Sequence, residues 1–93
     1  MHLHSGHRRT LQLIFEDPVR PDVPWRDIER LLEALGGELT EGRGSRVRVA
    51  LVGVRAVFHR PHPARVTDRG ALRSVRRFLR EAGFEPEQEP EQE

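Results

Sequence analysis

The sequence predicts an α+β domain in which helices cover one face of a short antiparallel sheet. Two observations predict this class. Apolar residues recur at helical spacing in three segments, and between the second and third of these segments they alternate with polar residues at strand spacing. With 93 residues, the chain can bury only one core, so we expect a single domain.

The first helix is predicted within an N-terminal extension over residues 1–23. Over residues 7–17 the apolar side chains fall on one helical face, and Ser5 is placed as the N-cap. The helix must end before Pro18, because the residue that precedes a proline disfavours the α conformation. We therefore expect one short helix in this extension.

The second helix begins the main domain, which we expect over residues 24–84. Pro24 suits the first helical position, where its missing N–H would have no partner in any case. An apolar stripe follows at helical spacing, formed by Ile28, Leu31, Leu32 and Leu35. Gly36-Gly37 then supplies a left-handed C-terminal stop.

Three antiparallel strands are predicted to follow the second helix. Residues 38–40 form the first, and Val52-Gly53 is the turn between the second and third. The alternating sets are Val47, Val49 and Leu51 against Arg46, Arg48 and Ala50, and Val54, Ala56 and Phe58 against Arg55, Val57 and His59. Each strand thus has one apolar face for the core, and the opposite sheet face carries cations.

The chain is predicted to leave the third strand through an extended loop over residues 60–66, which holds too many prolines for a strand ladder. A last helix follows, capped by Thr67 or Asp68 and stopped by Gly83. Residues 85–93 read EPEQEPEQE, so we expect a disordered, solvated acidic tail. The alternative is an autoinhibitory tail that occupies the basic face as a mimic of nucleic acid.

Positive charge is concentrated in the middle of the chain. The net charge is +1, and all 16 basic residues are arginine, the side chain that binds phosphate through two parallel hydrogen bonds. Residues 42–80 contain 11 arginines and one acid, a net charge of +10, between acidic ends of −3 and −6. This asymmetry indicates a nucleic-acid binder, and a surface that is charged only for solvation is the alternative.

The composition excludes several other classes of protein. The chain has no cysteine, so disulfide scaffolds and thiolate metal sites are excluded. No apolar run is long enough to span a membrane and no secretory signal is recognised, so we expect a cytoplasmic protein. His59 and His62 lack an obvious third ligand, so we predict no metal site and no cofactor, and we expect no small-molecule ligand.

Four features occur in one order over about residues 24–84. They are the helix that ends in Gly36-Gly37, the Gly44-Ser45 turn into a strand, the proline–histidine loop, and the closing helix GALRSVRRFLREAG. In this order they resemble HicA, the small toxin of type II toxin–antitoxin pairs. The resemblance implies a double-stranded-RNA-binding-like α-β-β-β-α sandwich, here with an extra N-terminal helix. It also implies an mRNA interferase, which is an endoribonuclease, and a HicB-type antitoxin that covers the active face.

One position departs from the family pattern. HicA toxins typically carry their catalytic histidine directly after a Gly-Ser pair, but here Gly44-Ser45 is followed by Arg46. A guanidinium stays protonated at neutral pH, so it can hold a phosphate or stabilise developing charge but cannot accept a proton from a ribose 2′-hydroxyl. The chain is therefore either inactive or uses another base.

His59 and His62 are the candidate bases, with Arg46 as the catalytic phosphate ligand. Imidazoles titrate near neutral pH, so the pair could act as base and acid in metal-independent cleavage of mRNA by 2′-hydroxyl attack. The predicted RNA-binding set is Gly44, Ser45, Arg46, Arg48, Arg55 and Arg60. The alternatives are a strand-end histidine without a role for His59 and an antitoxin contact for His62. For the whole chain, the alternatives to an endoribonuclease are a non-catalytic RNA-binding module or an inactive toxin relic that only binds its antitoxin.

Overall fold

The computed structural model describes residues 3–86, which form three helices and five strands. In chain order they are α1 (Ser5–Ile14), β1 (Val23–Pro24), α2 (Trp25–Ala34), β2 (Glu38–Glu41), β3 (Arg46–Leu51), β4 (Val54–His59), β5 (Val66–Thr67) and α3 (Arg69–Ala82). The predicted α+β class is confirmed, and the arrangement is compatible with the double-stranded-RNA-binding-like α-β-β-β-α sandwich preceded by an extra helix.

The main sheet is antiparallel with the strand order β2-β3-β4. The predicted turn between β3 and β4 is confirmed: Leu51 pairs with Val54 across it. Val52 and Gly53 both have positive φ angles, 50° and 80°. This conformation matches the right-handed twist of a hairpin, which is why two residues suffice for the turn.

All three helices contribute to one core on the inner face of this sheet. The buried side chains of β3 and β4 are Val47, Val49, Leu51 and Phe58, and the predicted stripe of α2 is buried against them. The Phe58 ring lies edge-to-face between two others, with centroids 5.9 Å from Trp25 and 5.6 Å from Phe78. Such pairs stabilise a core beyond the area they bury.

The N-terminal helix packs against both α2 and α3. Its N-cap is His4, whose Nδ1 accepts a 3.0 Å hydrogen bond from the Gly6 N–H, so the prediction that Ser5 is the cap was wrong. At its other end, the Arg76 side chain from α3 donates hydrogen bonds to the carbonyls of Ile14 and Glu16. Arg76 thereby satisfies carbonyls that a helix C-terminus leaves without partners.

A second, two-stranded sheet was not predicted from the sequence. Val23 pairs with Thr67 and Pro24 with Val66, so β1 and β5 join the starts of α2 and α3. The Trp25 N–H extends the pairing with a 3.0 Å hydrogen bond to the Arg65 carbonyl. Pro24 therefore lies one position before the helix, as its N-cap, and not at the first helical position as predicted.

The ends of α3 follow the predicted capping pattern. Of the two candidate caps, Asp68 is the one used: its Oδ1 accepts a 2.8 Å hydrogen bond from the Ala71 N–H. Gly83 ends the helix with a φ angle of 93°, in the left-handed region that glycine adopts without strain. The acidic tail was predicted to be disordered over residues 85–93, and residues 87–93 of that range lie outside the described part of the chain. No described helix is both long and apolar enough to cross a membrane.

Candidate functional site

The sheet face opposite the helices carries the cations that the alternation predicted. Three rows of side chains cross it, and they come from β2 (Glu38 and Thr40), β3 (Arg46, Arg48 and Ala50) and β4 (Arg55, Val57 and His59). The arginines are exposed, and the centre of the face is a shallow depression of about 410 Å³. We call this surface the open face. It can accept an extended polyanion because no described element covers it.

Arg46 and His59 lie directly opposite each other at one end of the open face. The next pair outward is joined by a 2.8 Å hydrogen bond from the Arg60 N–H to the Ser45 carbonyl. Since hydrogen-bonded and non-hydrogen-bonded pairs alternate in an antiparallel ladder, Arg46 and His59 form a non-hydrogen-bonded pair. Side chains are closest in such pairs, so one phosphate can meet a guanidinium and an imidazole together.

The Gly44-Ser45 turn lies beside the proline-rich loop. Gly44 has a φ angle of 63°, and the turn is closed by a 2.9 Å hydrogen bond from the Gly42 N–H to the Arg46 carbonyl. Because Ser45 pairs with Arg60, the turn is held next to the chain segment that leaves β4 toward His62. The predicted RNA-binding turn and the predicted catalytic loop therefore meet at one end of the molecule.

His59 and His62 line a single cleft of about 570 Å³. Its walls come from β4, the proline-rich loop and the first turns of α3, and its lining residues are Pro21, Trp25, Val57, Phe58, His59, Arg60, Pro61, His62, Ala64, Val66, Asp68, Ala71 and Ser74. Both imidazoles are exposed and can meet a ligand from solvent. The cleft thus brings together the two histidines that the sequence singled out.

Asp68, Ala71 and Ser74 belong to the cleft but were not expected there. They lie three residues apart, Asp68 as the N-cap of α3 and the other two within the helix, a spacing that places them on one side of it. The side chains on that side are small or polar, and this pattern is visible in the sequence. It could not be interpreted without knowing that α3 begins beside the proline-rich loop.

Arg60 is placed differently from the other predicted RNA-binding arginines. Its Nε lies 2.6 Å from Glu29 Oε2 on α2, and its Nη1 lies 2.6 Å from Glu41 Oε1 on β2. Its Nη2 donates to both carboxylates, so four of its five N–H donors are used within the protein. Glu29 also accepts a hydrogen bond from the Trp25 indole. Only one N–H donor of Arg60 therefore remains for a phosphate.

The Arg60 ion pairs also shift the pKa values of Glu41 and Arg60. The guanidinium, through its hydrogen bonds and its charge, holds the pKa of the Glu41 carboxyl below its ordinary value. The two carboxylates in turn raise the pKa of Arg60, with the hydrogen bonding that Arg60 donates to Glu41 as the largest cause. Arg60 therefore anchors the start of the proline-rich loop to α2 and β2.

The arginines of α3 lie on the helical side of the molecule, away from the open face. Arg76 is held at the end of α1, and Arg80 lies over the Phe15 ring at 5.3 Å from its centroid. Arg73 and Arg77 are exposed. Within residues 3–86, no three histidine or acidic side chains are grouped so that they could hold a metal ion.

Comparison with known proteins identifies the family. A sequence model of the family described as "HicA toxin of bacterial toxin-antitoxin" matches residues 25–84. No curated protein and no solved structure matches the chain. The matched segment is well over half of the chain, and it contains the main sheet, the Gly44-Ser45 turn and both cleft histidines. The chain therefore belongs to the HicA toxin family of bacterial toxin–antitoxin systems.

Proposed function

We propose that this toxin is an mRNA endoribonuclease that works without a metal ion and is neutralised by a HicB-type antitoxin in the cytoplasm. The observation that carries the proposal is the Arg46–His59 cross-strand pair, beside a cleft that His59 shares with His62. Phosphate binding and proton transfer are the two functions that metal-independent RNA cleavage requires.

The reaction proceeds by attack of the ribose 2′-oxygen on the adjacent phosphorus. One histidine removes the 2′-hydroxyl proton as the O2′–P bond forms, and the other donates a proton to the 5′-oxygen as the P–O5′ bond breaks. The products are a 2′,3′-cyclic phosphate and a 5′-hydroxyl. The Arg46 guanidinium stabilises the extra negative charge on the phosphoryl oxygens in the transition state, since it stays protonated throughout.

The arginines Arg46, Arg48 and Arg55 hold the RNA backbone on the open face. They are exposed, and on the sheet no acidic side chain lies directly opposite any of them within the described residues. Phosphate contacts fix the position of an RNA strand but carry no sequence information. We therefore expect binding that depends on charge and shape, with little preference among bases.

The test is cleavage of a short single-stranded RNA by the purified chain and by His59→Ala and His62→Ala. We expect each substitution to slow cleavage by about 10²–10⁴-fold, the usual contribution of a positioned proton-transfer group. His7→Ala is the matched control, because His7 lies on α1 outside the cleft. A substrate with one 2′-deoxyribose should resist cleavage at that position only. If both cleft variants cleave like the wild type, the histidine assignment is wrong.

A second candidate function follows from Arg46, which occupies the position after Gly44-Ser45. Because arginine cannot act as a base there, the chain could block translation by occupying RNA, or retain only antitoxin binding. Induction of the toxin alone in cells separates these functions. Growth arrest with cut transcripts supports the endoribonuclease, arrest with intact transcripts supports the RNA-binding module, and unimpaired growth supports the relic.

A further inference from the structure

The outer edge of β4 is the feature that the proposed function leaves unused. β4 is the last strand of the β2-β3-β4 sheet, so within residues 3–86 only one of its two edges is paired. The two-residue turn makes Leu51 and Val54 a hydrogen-bonded pair, and pairs alternate from there along the hairpin. The backbone N–H and C=O groups of Arg55, Val57 and His59 therefore point outward, away from β3.

These outward groups have no hydrogen-bond partner among residues 3–86. Edge strands are commonly protected by proline, a bulge or a covering loop. β4 has no proline and pairs with β3 in continuous register, without a bulge. The cleft is lined by Phe58 from the inner side of β4 and by Val57 and His59 from the open face, so it runs along this edge and leaves it accessible.

The side chains along the edge define the chemistry of a fitting strand. Val57 is 53% exposed and lies in the middle of β4, so its side chain can contact an added strand. Arg55 lies two residues away on the same face, and Ala50, not an acid, is opposite it on β3. An added strand would therefore gain most from an apolar residue beside Val57 and an acidic residue beside Arg55.

We propose that the outer edge of β4 is the docking site for an extended, acidic segment of the antitoxin protein, which adds to the sheet as a fourth strand. Such addition gains affinity from the backbone hydrogen bonds and specificity from alternate side chains. Because the cleft runs along the same edge, the added strand would also cover His59. That masking step rests on the proposed RNA cleavage, but the docking itself does not.

The probe is a capped peptide, Thr-Glu-Thr-Val-Thr-Glu-Thr, which reads the same in both directions and so fits a parallel or an antiparallel strand. Its Glu and Val residues match Arg55, Val57 and His59 on the open face. In NMR spectra of the full chain we expect the amide protons of these three residues to shift and exchange more slowly on binding. The amides of Val54, Ala56 and Phe58 already face β3 and should change little.

Two N-methylated versions of the peptide form a matched pair of controls. In an antiparallel arrangement, methylation at the Glu and Val nitrogens removes the donors that face β4 and should weaken binding at least about tenfold, whereas methylation at the Thr nitrogens should not. In a parallel arrangement the Thr nitrogens face β4, so the two effects are exchanged. Val57→Pro should weaken binding of the unmethylated peptide similarly, because it removes one outward donor. The comparison of the two methylated peptides remains valid even if Val57→Pro folds poorly, because that comparison uses the unaltered protein.

Several results would overturn the proposal. Equal binding of the two methylated peptides would mean that only charge attracts the probe. The amides of Arg55, Val57 and His59 could exchange slowly before peptide is added and lose this protection in a chain that ends at Pro86. That result would identify the protein's own acidic tail as the occupant. Slow exchange that grows with protein concentration would identify a second copy. In either case the edge would not be the antitoxin's site, whether or not the RNA cleavage assay succeeds.

Discussion

Arg46 and Arg60 show how strongly the surroundings of one side chain decide its role. Arg46 is exposed on the open face and lies opposite an imidazole. Arg60 follows β4 by one residue, and two carboxylates take four of its hydrogen bonds. The positive charge counted over residues 42–80 is therefore not all available to RNA. What Arg60 contributes is the fixed position of the loop that carries His62.

The Glu41–Arg60 ion pair should make the stability of the protein depend on pH. Arg60 holds the pKa of Glu41 below its ordinary value of 4.5, so in acid the unfolded chain binds this proton more readily than the folded one. The stabilisation is complete above that ordinary value and is lost as the pH falls through the lower folded value. Between about pH 5 and pH 3, Glu41→Gln should therefore lose less unfolding free energy than the wild type.

Urea unfolding at a series of pH values measures this difference. Glu38→Gln is the control, since Glu38 lies on the same strand and makes no ion pair with a described residue. The difference should shrink at high salt because Glu41 is exposed. Identical pH profiles for Glu41→Gln and the wild type would show that the pair contributes nothing to folding.

The strand alternation predicted which arginines share the open face, but it could not predict the pairing of Arg60. The two partners of Arg60, Glu29 and Glu41, are 31 and 19 residues away in sequence. Local periodicity reports which way a side chain points, and it says nothing about which distant acid lies there. Arg46 and Arg60 look alike in the sequence for that reason.

At the scale of helices and strands, the sequence predicted the elements that have a long periodic pattern. The three helices, β3 and β4 were identified because each repeats its apolar spacing several times. β2 has one apolar residue, Leu39, and was predicted as a short strand between Gly36-Gly37 and the turn that follows. The pair of β1 and β5 was missed. Each of those strands has only two residues, and β1 contains a proline. Their pairing spans 42 residues or more of chain. No local signal marks such a bridge, since tertiary packing alone creates it.

One side chain from α3, Arg76, holds the C-terminal end of α1. Arg76 Nε donates to the Ile14 carbonyl at 2.9 Å, Nη2 to the Glu16 carbonyl at 2.7 Å and Nη1 to Asp17 Oδ1 at 3.1 Å. The side chain is 11% exposed, so its removal leaves polar groups without partners in a poorly hydrated place. Arg76→Met should cost about 1–3 kcal/mol of unfolding free energy.

Amide hydrogen exchange locates that loss. We expect exchange in α1 of Arg76→Met to be faster than the loss of global stability alone explains. The amides of β3 and β4 should change only as much as that loss requires. Arg77→Met is the matched control, because Arg77 neighbours Arg76 on α3 but is exposed and makes no hydrogen bond to another described residue. An equal loss of stability in both variants would contradict the anchoring role.

At the scale of the whole molecule, the fold separates two cationic surfaces. The open face carries Arg46, Arg48 and Arg55 beside the cleft, and the helical side carries Arg73 and Arg77 on α3. The charge count in the sequence could not distinguish the two surfaces, because both fall within residues 42–80. Only the packing of the helices on the inner sheet face divides them. RNA binding can therefore be assigned to one side by comparing matched substitutions.

The salt dependence of RNA binding shows which side of the molecule holds the RNA. If the three open-face arginines each neutralise one phosphate of a single strand, log Kd should rise with log salt concentration with a slope of about 2, or about 0.7 per phosphate. Arg48→Gln should lower the slope by about 0.7 and weaken binding equally for different base sequences. Arg73→Gln removes the same charge from the helical side and should leave the slope unchanged.

Fluorescence anisotropy with a 2′-O-methylated RNA measures these slopes without cleavage, because the attacking hydroxyl is blocked. A slope that falls for Arg73→Gln and not for Arg48→Gln would move the RNA from the open face to α3. The Arg46–His59 pair lies on the open face, so it would then have no phosphate to act on. The slope comparison thus tests the binding surface independently of catalysis.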